Sequence, residues 1–182
     1  EKMNKPRLLL HCCCAPCATY PIELLKDRYD ITLFFYNPCI YPQKEYNNRR
    51  DETIRLANKL DLPIKLLEED EQVFLDIAKG RELDKEGEER CIRCYTQRLE
   101  KTGDMAEAEL FDCFTTTLSI SPHKESQRIL EIGRALALEL SVKFLSKDFK
   151  KDDGFKKSCE LSREHGLYRQ DYCGCRFSIK KS

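Results

Sequence analysis

Residues 7–17 read Arg-Leu-Leu-Leu-His-Cys-Cys-Cys-Ala-Pro-Cys. The short apolar run Arg7–His11 has the character of a strand buried on both faces, as in parallel sheets. The thiols that stop it sit directly beyond a strand's carboxyl end, where open α/β sheets build their sites.

The rest of the chain alternates between the two periods. Residues 19–28 have helical spacing through Tyr20, Leu24 and Leu25, and residues 31–36 form a second apolar strand closed by Asn37-Pro38. A charged helix over 43–60 carries Ile54, Ala57 and Leu60 on one face. A strand at 63–67, a short helix at 72–79, a polar loop at 80–89 and a long helix at 90–110 follow. Residues 113–120 are β-branched and read as a fourth strand. Ser121-Pro122 opens a helical stretch over 124–140, residues 142–146 make a fifth strand, and 155–165 a last helix. This alternation predicts the α/β class: a parallel sheet of about five strands with helices on both faces, in a single domain over residues 1–182. The segments after strands one, two, four and five (the cysteines, Asn37-Pro38-Cys39, Ser121-Pro122 and Lys147-Asp148) are then expected at one edge of the sheet.

The chain has 182 residues, 41% of them hydrophobic, and equal numbers of basic and acidic residues, 32 each. That is enough for a real core without disulfide staples. Net charge neither points to nor excludes a nucleic-acid partner. No apolar run reaches the length of a membrane span. No apolar leader segment stands at the N-terminus. Eleven cysteines arranged as neighbours and CxxC pairs fit metal-bound thiolates in a reducing cytoplasm better than a secreted disulfide scaffold.

Three thiol clusters carry the chemistry: Cys13-Cys14-Ala-Pro-Cys17, Cys91-Ile-Arg-Cys94 and Cys173-Gly-Cys175. Cys91 and Cys94 share a face at a helix start, where the helix dipole favours thiolates. Cys173 and Cys175 are too close for a good disulfide, and Gly174 lets both sulfurs turn to one centre. All-thiolate ligation at the edge of an α/β sheet suits iron–sulfur chemistry better than structural zinc. Cys12 points into packing by strand alternation, Cys113 and Cys159 read as small buried hydrophobes, and Cys39 fits either role. His11 serves the cluster or the fold; His123 and His165 read as surface or capping residues. Asp148 is a hard oxygen ligand, a proton donor or a helix cap.

Basic residues cluster locally: Arg49, Arg50 and Arg55 on one helix, Lys150, Lys156 and Lys157 later, and Arg169, Arg176, Lys180 and Lys181 around the last cysteines. Tyrosines 41, 46, 95, 168 and 172 interleave with them. The combination reads either as solvated helix faces or as an RNA surface, with phosphate contacts and an aromatic that stacks an unpaired base.

Four motifs together resemble the QueH-type epoxyqueuosine reductases. They are His11-x-Cys13-Cys14-Ala-Pro-Cys17; Tyr36-Asn37-Pro38 with Pro42 and Glu45-Tyr46; Arg90-Cys91-x-x-Cys94-Tyr95 with Arg98; and Tyr168-Arg-Gln-x-Tyr172-Cys173-Gly-Cys175 with Ser178. The resemblance implies a fold similar to the adenine-nucleotide α-hydrolase (HUP-like) group, with the glycine-rich phosphate loop after strand one replaced by cysteines and hence no ATP. It implies reduction of epoxyqueuosine to queuosine at the wobble position of tRNA with a GUN anticodon, using a [4Fe–4S] cluster and an adjacent iron, without cobalamin. It implies Cys13, Cys14, Cys17, Cys91, Cys94, Cys173, Cys175 and Asp148 as metal ligands, the cysteines other than Cys17 holding the cluster. Asp148 or Tyr41 is then the proton donor, and Tyr46, Arg49, Arg98 and Lys150 contact substrate. The electron donor stays unidentified. A thiol–disulfide oxidoreductase using Cys14 and Cys17 and a zinc-stabilised RNA-binding module are the alternatives.

Overall fold

In a computed structural model that describes residues 5–179, five strands form one sheet in the order β3-β2-β1-β4-β5, every neighbouring pair parallel. Lys180 and Lys181 lie outside the described residues. The strands are β1 (Arg7–His11), β2 (Asp30–Phe35), β3 (Ile64–Leu66), β4 (Cys113–Thr116) and β5 (Lys143–Phe144). The helices are α1 (Ala15–Leu25), α2 (Gln43–Lys59), α3 (Glu71–Ala78), α4 (Glu89–Ala108), α5 (Ser126–Ala137) and α6 (Gly154–Glu164).

β1 is central because both of its faces are apolar. Leu8 and Leu10 pack with Ile31, Leu33 and residues of α1 and α2 on one side. Leu9 packs with Phe34, Phe114 and Ala106 of α4 on the other. All three leucines are fully buried, as a strand covered on both faces requires. α1 and α6 pack together on the first face, α4 and α5 on the second.

The chain winds from β1 outward to β2 and β3, then returns past β1 to add β4 and β5 on the opposite side. The winding therefore reverses between β1 and β4, which opens a crevice at their carboxyl ends. β1 runs into the first cysteine cluster there. β4 is shorter than its β-branched pattern predicts: Thr117–Ile120 forms a tight 3-10 turn, started by the Thr116 hydroxyl accepting from the Leu118 N–H at 3.2 Å. α1 begins earlier than its apolar spacing predicts. Pro16 sits in its first turn, where a missing N–H costs nothing, so Cys17 lies on the helix. α5 begins at Ser126, leaving residues 121–125 as a turn at the crevice. Among the described residues no helix is long and apolar enough to cross a membrane.

α5 approaches β5 closely at Gly133, where an added Cβ would lie 2.3 Å from the Phe144 ring. Gly133→Ala should therefore cost about 1–3 kcal/mol through overpacking, lowering the thermal midpoint by several degrees. An unchanged melt would mean that Phe144 gives way freely.

Candidate metal centre

The strand end fixes the first thiol cluster through its backbone. The Cys12 N–H donates to the Phe34 carbonyl at 2.8 Å, and its carbonyl accepts from the Asn37 side chain at 2.9 Å. The Cys13 N–H donates at 3.2 Å to the Thr117 hydroxyl, which donates at 3.4 Å to Cys13 Sγ. β1, β2 and the turn after β4 are thus tied together at the crevice. Cys14 is the residue before the first turn of α1 and Cys17 lies within that turn.

The sulfurs of Cys13, Cys14 and Cys17 all lie within 4.8 Å of one another, close enough to ligate one ion. Thiol hydrogen bonds from Cys14 and Cys17 hold the Cys13 pKa well below its ordinary value. Donating to Cys13 pushes Cys14 up to about 12 and raises Cys17. Metal binding requires deprotonated thiols, and of the three Cys13 is the one poised to lose its proton. Cys14 Sγ also accepts from Gln170 Nε2 at 2.9 Å.

The other thiols surround the trio from two directions. Cys91 packs with Tyr95, Leu118 and Cys13 and accepts from the Gly87 N–H at 3.3 Å. Cys94 lies with Cys39 and Cys175 in a separate buried cluster. A hydrogen bond from Cys94 lowers Cys39 to about 6 and raises Cys94 in turn. Among the described residues only the trio reaches single-ion spacing.

Arg98 stands between these groups and is buried. Burial opposes its charge, but the thiols of Cys94, Cys39, Cys173 and Cys13 hold it protonated. Its Nε donates to the Cys94 carbonyl and one Nη to Asn37, both at 3.3 Å, while Nη2 has no partner. His11 is its neutral counterpart. Its Nε2 faces two acceptors, the Tyr36 carbonyl at 3.0 Å and Asn37 Oδ1 at 3.2 Å, so Nε2 carries the proton and Nδ1 accepts from Thr116 at 2.8 Å. Burial, then the Arg98 charge, lowers its pKa to about 4.

The third cluster is clasped to α2. Arg49 Nε pairs with Glu45 at 2.7 Å, and its two Nη atoms donate to the carbonyls of Cys173 at 2.9 Å and Tyr172 at 3.0 Å. Glu45 also accepts from the Tyr168 hydroxyl at 2.9 Å. The Tyr41 N–H donates to the Gly174 carbonyl at 2.8 Å, and the Tyr172 hydroxyl donates to the Tyr41 carbonyl. Gly174 has φ +127°, and a Cβ there would meet Arg49 Nη1 at 2.8 Å. The motif residues between the cysteines thus hold the loop that carries Cys173 and Cys175.

A cavity of about 410 Å³ opens over the thiols. Cys13, Cys17 and Cys173 line it, with Arg98 and Lys124 nearby and Phe155 and Tyr172 on its walls. Of the residues expected to act on substrate, Arg49 and Arg98 reach this cavity. Arg49 does so as an internal brace rather than as part of a solvated basic face, because its donors are committed. Asp148 lies outside the cavity wall and the trio; its oxygens accept from the Ser126 hydroxyl at 2.9 Å and the Lys150 N–H at 3.0 Å. Lys150 donates from Nζ to the Lys124 carbonyl at 2.5 Å. Tyr41 carries Arg176 over its ring at 4.4 Å, away from the cavity. Tyr46 packs against Phe35 at 5.5 Å and faces a second hollow lined by residues 68–71, all acidic. Cys12 is fully buried in the core. Sequence reasoning missed Lys124, Gln170 and Phe155 on the cavity wall, and Cys159 too, which it read as core. The available signal was the position of residues 121–124 beyond β4, at the predicted site edge.

The donor set fits a thiolate-bound iron–sulfur group. Soft sulfurs at the cavity face an unpartnered Arg98 Nη2 and a nearby lysine, and a negatively charged cluster supplies the missing anion.

A switch-point cavity lined by thiols in a five-stranded parallel sheet defines an α/β protein with a candidate cysteine-ligated metal centre. A family model described as Epoxyqueuosine reductase QueH matches residues 8–181, and the chain belongs to that family. A relative of that name from Streptococcus pyogenes serotype M1 is 38% identical over 182 residues, 97% of this chain and 71% of the relative. One from Thermotoga maritima is 36% identical over 176 residues, covering 94% and 90%. Among solved structures, the U34-tRNA thiolase NcsA from Methanococcus maripaludis with its [4Fe-4S] cluster superposes with TM-score 0.58 at 10% identity, over 98% of this chain and 63% of that one. A predicted subunit of tRNA methyltransferase from Methanocaldococcus jannaschii gives 0.56 at 15% identity, over 86% and 75%. At such identities the likeness is one of fold.

Arg49→Met leaves Glu45 buried without its cation and releases the Tyr172 and Cys173 carbonyls. Chemical denaturation should show a loss of about 3–5 kcal/mol, with weaker metal retention. Unchanged stability would mean that the clasp is dispensable.

Proposed function

We propose that this chain reduces epoxyqueuosine to queuosine at the wobble position of tRNA with a GUN anticodon, without cobalamin. The observation that carries the reading, beside family membership, is the thiol-floored cavity at the β1–β4 switch point. Removing the epoxide oxygen to leave an alkene takes two electrons and two protons and releases water. An external electron donor provides the electrons.

Cys13, Cys14, Cys17, Cys91, Cys94, Cys173 and Cys175 are the residues that would hold a [4Fe–4S] cluster and an adjacent iron. Bound there, the group supplies one-electron transfer and a Lewis-acidic metal. The chain's own residues do the rest. Arg98 keeps a fixed positive charge among the thiols, which favours their anionic, ligating form. The cavity volume lies within the range of small-ligand pockets and suits one nucleoside turned out of its stack. Phe155 and Tyr172 offer aromatic faces for that base. Exposed Lys156, Lys157 and Arg169 stand on and beyond α6 next to the cavity and suit phosphate contacts.

The test is turnover. Anaerobically reconstituted protein, given dithionite and tRNA carrying epoxyqueuosine, should yield a nucleoside lighter by one oxygen in mass spectrometry. Cys94→Ser should lose metal and turnover together. Full turnover by metal-free protein or by Cys94→Ser would contradict the reading.

A further inference from the structure

Lys124 lines the cavity in the turn between β4 and α5. Its backbone is held from several sides. The Lys124 N–H donates to the Ser121 carbonyl at 3.3 Å, and its own carbonyl accepts from Lys150 Nζ. Lys150 is held in turn by Asp148, which also accepts from Ser126 at the first turn of α5. The backbone from which the lysine reaches the cavity is therefore fixed. Its ammonium, however, is unspent: among the described residues no carboxylate pairs with it, and the thiols of Cys173 and Cys13 are the groups that favour its charge. Burial acts against its charge, but those thiols keep it protonated.

Two other cations at or near the cavity are largely held by protein groups. Arg49 holds Glu45 and two carbonyls, and Arg98 is fixed between Asn37 and the Cys94 carbonyl. Asp148 braces the turn, and the Tyr41 ring lies under Arg176. Arg98 keeps only Nη2 unpartnered and Arg169 lies over the Phe155 ring at 5.7 Å, so Lys124 is the lysine that brings a whole ammonium to the cavity.

We infer that Lys124 is the substrate-contacting donor of this cavity, its ammonium hydrogen-bonding the oxygen that the substrate loses. The assignment rests on the reductase reading. As the carbon–oxygen bonds of an epoxide break, negative charge gathers on that oxygen. A cation already in place within an enclosed cavity stabilises that charge more than water does. Asp148 and Lys150 then act as positioning residues, through the turn that carries Lys124.

Lys124→Met and Lys124→Arg test this in the reconstituted protein. Iron and sulfide content and the visible spectrum are measured first. Binding of an anticodon stem-loop RNA carrying the epoxide is then compared with binding of the same RNA carrying the alkene, and single-turnover rates follow. The wild type should prefer the epoxide RNA by about tenfold, the strength of one charge-assisted hydrogen bond. Lys124→Met should load metal normally, lose that preference and slow single turnover by about 100-fold. Lys124→Arg should restore part of both. A Lys124→Met protein with wild-type rate and preference would overturn the assignment. So would one that fails to load metal, which would make Lys124 a counter-ion of the thiolates. A loaded wild type that is inert on the epoxide would overturn the reductase reading itself.

Discussion

Arg98 is a guanidinium buried among thiols, and a cation in that position demands anions. The groups that answer it are Cys94, Cys39, Cys173 and Cys13, drawn from the start of α4, the loop after β2, the tail and the end of β1. These segments are far apart in the chain. The fold brings them to one point, and the charge of Arg98 acts against the burial that raises the Cys39 and Cys94 thiols there. Without anionic sulfur the arginine is an uncompensated charge with an unpartnered Nη2.

The sheet does the gathering. Because its winding reverses between β1 and β4, the strand ends leave a crevice that loops can enter. In this chain the cysteines that follow β1 enter it. Two braces finish the site. Arg49 and Glu45 clasp the tail onto α2. Asp148 and Lys150 hold the turn before α5. Each brace uses charged residues whose polar atoms are spent on neighbouring side chains and backbone groups, so each is a device of position.

Most of the architecture was legible in the sequence. The leucines of β1, the Phe-rich β2 and the alternation of periods point to a parallel sheet with helices on both faces, and the structure has that sheet with five strands. The thiol clusters were legible for the same reason: their spacing is chemical, not conformational. What escaped depends on tertiary contacts. Thr117–Ile120 carries β-branched residues that favour a strand, yet the hydroxyls of Thr116 and Thr117 turn the chain toward Cys13. Arg49 looks like part of a solvated basic face until Glu45 and the tail carbonyls surround it. Asp148 and Tyr41 have the right chemistry for proton donors, but their polar groups or rings are engaged elsewhere. Lys124 gave no local signal; only its place in a braced turn over the cavity distinguishes it from the chain's other lysines.

The reading of the site stands on these sulfurs holding one thiolate-bound iron centre. The most direct test is iron and sulfide analysis, with a visible spectrum, of protein purified without oxygen. A brown protein with about five irons and four sulfides per chain, a cubane plus one iron, is the expected result. A colourless protein holding zinc, from which reconstitution restores no iron, would contradict it.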